Sequence, residues 1–411
     1  MIETILKSII DGIVREGHLE VSFASGKSAV FGDGTGSPVA ISFLDKAAEW
    51  RCALRPSLAF GELIVDERIR ITTGTLRDLL DVASRNIGTG TPRGLLSYLT
   101  PERRLFTCPA RRNTVSLARK NVAHHYGLNH HFYQLFLDDD LQYSCAYFSD
   151  ERDDLEAAQL AKKRHIAAKL LLANDQHTLD IGSGWGGLAI YLAKCCHTHV
   201  TGITLSREQL EIARRRADEE GLGARIEFRL ADYRDVRGRF DRIVSVGMFE
   251  HVGARDYQDF FMRSYELLGD EGIMLLHTIG RSTGPAPTNP WIKKYIFPGG
   301  YIPSLSEIVP IITHAGFSIV DIEILRLHYA DTLRAWSDRF ALHRDEAARL
   351  YDERFCRIWE FYLAASEASF RYGGLVVFQL QLSKSLNAIP EARGYVERAE
   401  ATLREIERRI Y

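Results

Sequence analysis

Apolar positions along the chain fall into zones of different periodicity. Ile5, Leu6, Ile9, Ile10, Ile13 and Val14 recur at helical spacing and predict an amphipathic helix at the start. Short runs at 19–23, 29–31, 39–43, 64–65 and 69–72, punctuated by Gly, Asp and Ser, predict strands, and 76–83 returns to helix. Residues 1–108 therefore predict a small α/β accessory domain, and nothing in it has a catalytic signature. From residue 132 onward strand and helix patterns alternate. Strands are expected at 178–181, 200–204, 226–230, 242–246, 273–277, 317–325 and 375–382, with helices at 188–194, 206–220 and 256–268. Seven strands alternating with helices predict a mostly parallel sheet covered on both faces. Two insertions interrupt the rhythm, a Pro- and Gly-rich stretch at 280–303 and a helical stretch at 333–370, and segments of that length act as lids or binding walls. Residues 391–411 alternate Glu and Arg and predict an exposed helix carrying i,i+4 ion pairs.

Between the zones lies a basic connector, residues 109–125, introduced by Arg103 and Arg104 and carrying Arg111, Arg112, Arg119 and Lys120. It is either a solvated linker and helix face or a surface that attracts anionic headgroups, each basic residue near a membrane contributing about 1 kcal/mol. Domain organisation is therefore 1–108, connector 109–125, a catalytic domain at 126–390 and a C-terminal helix at 391–411.

Composition narrows the class. The chain of 411 residues is 45% hydrophobic and 26% charged, which excludes long disorder. A formal net charge of -2 argues against a nucleic-acid partner. Six cysteines in so long a chain make no disulfide framework, so a reducing compartment is expected. Residues 1–10 contain Glu3 and Lys7 and lack the organisation of a signal peptide. No window approaches the ~20 apolar residues that span a bilayer. The expectation is a cytoplasmic protein that reaches a membrane surface at most. The paired histidines His124/His125 and His130/His131, and the cluster Cys195-Cys196-His197-Thr198-His199, lack zinc-site spacing, so no metal is expected.

The chemistry concentrates after the first strand of the second zone. Leu179-Asp180-Ile181-Gly182-Ser183-Gly184-Trp185-Gly186-Gly187 follows a strand and opens a helix. Gly182, Gly184 and Gly187 satisfy G-x-G-x-x-G. A dinucleotide would want an acid at the end of the next strand, where Gly202-Ile203-Thr204-Leu205-Ser206 offers none, and a diphosphate would want nearby positive charge. A nucleoside without phosphates fits better. S-Adenosylmethionine has an amino-acid tail whose carboxylate can lie at backbone N–H groups of the helix start. Asp232 beside Tyr233, after the third strand, suits an adenine, although a strand-end turn with a surface Asp has the same appearance.

At this point the sequence resembles the cyclopropane-fatty-acyl-phospholipid synthases, including the mycolic acid cyclopropane synthases. The likeness rests on Tyr143-Ser144-Cys145-Ala146-Tyr147-Phe148, on Ser245-Val246-Gly247-Met248-Phe249-Glu250-His251-Val252-Gly253, on His277-Thr278-Ile279-Gly280 and on the stretches 180–189, 202–210, 290–300 and 329–336. The glycine loop alone is weak; the ordered set is specific. The first hundred residues resemble, less distinctly, the lipid-facing domain of the phospholipid-acting branch.

The resemblance implies a seven-stranded Rossmann-like class I methyltransferase fold. It also implies transfer of a methyl group from S-adenosyl-L-methionine to a cis double bond in an acyl chain of a membrane phospholipid. A bicarbonate ion would accept the proton lost as the ring closes. By resemblance, Cys145, Glu250, His277, Tyr329 and the backbone at Ile279 line the ion's site. Tyr143, Ser144, Gly182, Gly184, Trp185, Thr204, Leu205, Gln209, Asp232 and Tyr233 contact the cofactor. Ser183 stands where many relatives have Cys, a near-isosteric change. Taken singly, Cys145 is an ordinary buried hydrophobe, Tyr329 a packing residue and Glu250 a first-turn acid. A π-bond is a poor nucleophile, so the protein must hold it in line with the sulfonium methyl and keep water from the developing cation. A related C-methyltransferase giving a methyl-branched or methylene-bearing chain is the alternative product class, and a non-catalytic lipid carrier is the alternative of another kind. Peripheral contact with a membrane surface and a homodimer are expected, the latter from resemblance alone.

Overall fold

A computed structural model of the chain describes residues 1–88 and 128–410. The basic connector and His124/His125 lie outside the described residues. The chain divides into two compact units.

The first unit comprises Met1–Pro109, Ala286–Pro298 and Leu333–Leu375. Its sheet contains β1 (Leu19–Ser22), β2 (Ser28–Phe31), β3 (Val39–Phe43) and β4 (Ile69–Thr73) in the order β2-β1-β3-β4. Helices Ile2–Ile13, Lys46–Leu54, Pro56–Val65 and Leu76–Gly88 accompany it. Leu6, Val21, Phe43, Leu63 and Leu79 belong to its buried core. The pair 64–65, expected as a strand, is instead the end of a helix. Asp45 caps the preceding helix through Ala48 N–H, and Pro56 opens this one at a position where no N–H is required. The middle of the first insertion, 286–298, and the whole of the second belong to this unit. Helix Pro290–Tyr295 brings Trp291 against Phe361 of helix Glu353–Arg371, ring centroids 4.6 Å apart. Both rings press on Gly61, where a Cβ would come within 2.7 Å of each.

The second unit comprises Ala110–Pro285, Gly299–Thr332 and Val376–Tyr411. Its seven strands are β5 (His177–Ile181), β6 (His199–Thr204), β7 (Ile226–Leu230), β8 (Phe240–Val246), β9 (Leu268–Arg281), β10 (Ser318–Leu325) and β11 (Leu375–Ser383). They lie in the order β10-β11-β9-β8-β5-β6-β7. β5 pairs in parallel with β6 and β8, β6 with β7, and β8 with β9, while β10 and β11 are antiparallel. Alternation along β9 sends Met274 and Leu276 into one core and Ile273 and Leu275 into another. Both faces are thus covered, as the near-continuous apolar strands require.

The helix Tyr395–Ile410 departs from the expected solvated helix. Only its Arg404–Glu400 pair, 3.1 Å, has the i,i+4 form among the described residues. Glu407 is buried and accepts from Arg164 Nε at 3.0 Å and Nη2 at 2.6 Å, and from Tyr191 Oη at 2.6 Å. Glu400 meets His165 Nδ1 at 2.6 Å. Glu400 and Glu407 point inward because helix Leu155–Leu170 presents the buried Arg164 and His165 to them.

Candidate active site

The glycine loop turns from β5 into helix Gly187–Cys196 at the carboxyl edge of the parallel sheet, where such folds bind ligands. Gly182 has φ 91, and a Cβ there would lie 2.8 Å from Met248 Cβ, so only glycine fits. The N–H groups of Gly182 and Ser183 both donate to Ile203 O at 2.9 Å, tying the loop to β6.

One cleft opens over this loop, and every residue expected to contact the cofactor lines it. Gly182, Gly184 and Trp185 come from the loop, and Thr204, Leu205 and Gln209 from the end of β6 and the following helix. Asp232 and Tyr233 follow β7, and Tyr143 and Ser144 approach from the segment before helix Leu155–Leu170. Thr204 Oγ1 donates to Gln209 Oε1 at 2.9 Å, which turns the Gln209 amide so that its donors point elsewhere. Asp232 is gripped by Arg234 through Nε and Nη2, each at 2.7 Å. The Tyr233 ring meets Phe260 in a T-shaped contact at 5.2 Å, and the Arg234 guanidinium lies over it.

The cleft also contains two charges that the sequence reading did not single out. Lys162 is fully buried and donates to Gln142 Oε1 and Ser144 Oγ, both at 2.8 Å. Burial pushes its pKa down to about 8. Asp180 is 2% exposed, has no partner for Oδ2 among the described residues, and is pushed up to about 7 by burial. Both line the same cleft.

The five expected ion-site residues are not part of the cleft lining, but most adjoin it. Cys145 follows Ser144, Glu250 lies between Met248 and His251, and His277 O accepts from Gly247 N–H at 2.9 Å. Glu250 Oε1 accepts from Ile279 N–H at 2.6 Å. The Ile279 N–H therefore orients Glu250 and is not free for an ion. Glu250 Oε2 is buried without a partner among the described residues, and burial raises the carboxyl above its usual range. His277 is buried, with Gln379 Nε2 3.1 Å from its Nδ1 and its Nε2 unpartnered among the described residues. Burial, then the positive charges of Lys162, Lys169 and His165, hold its pKa well below 6.5, so the ring is neutral. Cys145 is a buried thiol, raised by burial, that donates to Ala146 O at 3.2 Å. Tyr329 lies in the first turn of helix His328–Leu342. That turn is pinned to the Cys145 segment by Ala146 N–H to Thr332 Oγ1 and Phe148 N–H to His328 Nδ1, each 3.0 Å.

Residues 114–380, well over half of the chain, match the family of mycolic acid cyclopropane synthetases. The chain belongs to that family. This cyclopropane synthetase relative is 42% identical over 270 residues to the cyclopropane-fatty-acyl-phospholipid synthase of Escherichia coli (strain K12), covering 66% of this chain and 69% of that protein. It is equally 42% identical, over 278 residues, to the tuberculostearic acid methyltransferase UfaA1 of Mycobacterium tuberculosis, covering 64% and 65% of the two chains. Among solved structures, the cyclopropane synthase MmaA2 from Mycobacterium tuberculosis superposes with a TM-score of 0.62 at 34% identity, covering 65% of this chain and 98% of that one. The synthase CmaA1, at 32% identity and TM-score 0.62, was solved with SAH and CTAB, covering 64% of this chain and 97% of that one. The family member described here is an S-adenosylmethionine-dependent methyltransferase with the class I fold.

Proposed function

We propose that this enzyme is a cyclopropane-fatty-acyl-phospholipid synthase, acting on the cis double bond of unsaturated phospholipid acyl chains with bicarbonate as the proton acceptor. The observation that carries the reading is the pair of buried, unpartnered polar atoms Glu250 Oε2 and His277 Nε2. Leaving two such atoms unmade costs about 1–3 kcal/mol each, so a bound group that pairs with both is favoured. Bicarbonate fits: its oxygens accept from a ring N–H, and its O–H donates to a carboxylate oxygen. The positive charges that keep His277 neutral also favour an anion beside it.

S-Adenosylmethionine, when bound, supplies an electrophilic methyl group. Lys162 would hold its carboxylate and Asp180 its ammonium, since both line the cleft. Gln209 and Thr204 would take the ribose hydroxyls, and Asp232 the exocyclic amine. Bicarbonate, when bound, supplies a weak base. His277 and Glu250 would hold it, Ile279 N–H fixes Glu250, and Tyr329 would be a further ligand by resemblance.

Incubation with vesicles of unsaturated phospholipid and methyl-labelled cofactor, with and without bicarbonate, tests this. A ring-bearing chain heavier by one methylene, formed in a bicarbonate-dependent reaction, is expected; no methylene gain overturns it. The equal identity to a fatty acid methyltransferase favours one second reading, a methyl-branched or methylene-bearing product, and an exocyclic alkene in the product spectrum would select it. We also infer peripheral contact with anionic membranes through the basic connector. Co-sedimentation with anionic vesicles that falls with salt is expected, and binding indifferent to salt and headgroup charge overturns it.

A further inference from the structure

The environment of His277 determines which of its nitrogens bears the proton. Gln379 lies on β11, fully buried, and its side chain spans two partners. On one side Lys169 Nζ is 2.9 Å from Oε1. An ammonium only donates, so the amide oxygen must face Lys169, and the amide nitrogen must face His277. That nitrogen, 3.1 Å from Nδ1, only donates as well. Nδ1 must therefore present a lone pair, and a neutral ring then carries its proton on Nε2, the buried atom without a partner.

Lys169 is itself fixed. It pairs with Glu323, whose Oε2 meets His165 Nε2 at 2.6 Å, and His165 Nδ1 meets Glu400 at 2.6 Å. Burial opposes charge on His165, but the two carboxylates outweigh it and raise its pKa. A ring hydrogen-bonded to carboxylates at both nitrogens donates from both. The chain of partners Glu400, His165, Glu323, Lys169, Gln379 and His277 therefore has one consistent set of donors and acceptors.

We propose that Gln379, oriented by Lys169, is a positioning residue that holds His277 as the Nε2–H tautomer, so that the imidazole presents a donor to the anion at the active site. The assignment rests on the bicarbonate reading for its purpose and on geometry alone for its content. Tautomer control of this kind is how ligand histidines are held by outer partners, and losing the partner costs such sites about 10–100-fold.

Nitrogen-15 NMR of the histidine side chains in the full-length enzyme tests it, with the His277 signals assigned from the His277→Asn spectrum. The wild-type ring is expected to show a protonated Nε2 and an unprotonated Nδ1. In Gln379→Glu the new carboxylate accepts from Nδ1, so that nitrogen becomes protonated. The kcat falls at least about tenfold while KM for the methyl donor stays within about twofold. A wild-type ring protonated at Nδ1 overturns the proposal without any variant, and so does an unchanged tautomer in Gln379→Glu. An Nε2–H ring in an enzyme whose turnover ignores bicarbonate removes the bicarbonate reading and leaves the Gln379 assignment standing.

Discussion

Lys162→Met separates the folding role of a buried cation from its binding role. The side chain is fully enclosed, and its pKa of about 8, against 10.5 in water, corresponds to about 3 kcal/mol of unfavourable burial of charge. Methionine removes that penalty but leaves Gln142 Oε1 and Ser144 Oγ without their donor, at about 1–3 kcal/mol for each acceptor. The terms offset one another in large part, so the ligand-free variant should unfold within about 3 kcal/mol of the parent at pH 7. The sign also gives a pH signature. The folded pKa lies below the unfolded one, so the penalty is fully present below pH 8 and disappears as pH rises from about 8 towards 10.5. Wild type should gain stability from this group over that window, and the variant should lack the gain. Binding should respond differently, because the cofactor carboxylate loses its counter-charge, at about 2–3 kcal/mol. That is a rise of about 30–150-fold in Kd by titration calorimetry. A decarboxylated cofactor analogue should bind parent and variant alike. If the variant weakens the analogue as much as the parent compound, or weakens neither, Lys162 does not face the carboxylate.

Cofactor affinity should be bell-shaped in pH, falling as Asp180 protonates below about 7 and as Lys162 deprotonates above about 8, measured by the same calorimetry. Glu250→Gln keeps an acceptor for Ile279 N–H but replaces the unpartnered oxygen with a donor; turnover should drop about 100-fold or more with SAH affinity unchanged, read by single-turnover kinetics and binding. Glu407→Ala strips Arg164 and Tyr191 of their acceptor and should cost about 3–5 kcal/mol in denaturant unfolding, whereas exposed Glu397→Ala on the same helix should stay within about 0.5 kcal/mol.

What the sequence made legible follows from how local each signal is. The strands appear as short apolar runs, and six of the seven lie within two residues of their expected limits because they are buried in the sheet, whereas β9 begins five residues before and ends four after the apolar run that marks it. The cofactor cleft was equally legible, since a glycine loop and the ends of successive strands are fixed by topology. The helices Lys46–Leu54 and Pro56–Val65 escaped because neither concentrates its apolar residues on one side, and Ile64 with Val65 imitates a strand. Lys162 and Lys169 sit in a run of charged residues that looks like a solvated surface, yet helix Leu155–Leu170 is enclosed nearly all round. Gln379 gives no local signal at all; its role appears only when β11 is placed beside β9. The acids of the last helix illustrate the same limit, since Glu407 and its partner Arg164 are 243 residues apart.

Grouped by contact, the chain passes from one unit to the other five times before it ends. Such interleaving makes the N-terminal unit inseparable by a single cut. A shortened protein beginning at Ala110 would keep the residues that answer to Gly61, Trp291 and Phe361 among them, while losing the glycine surface that receives them. An enzyme could dispense with this module only by redesigning both of its insertions at the same time.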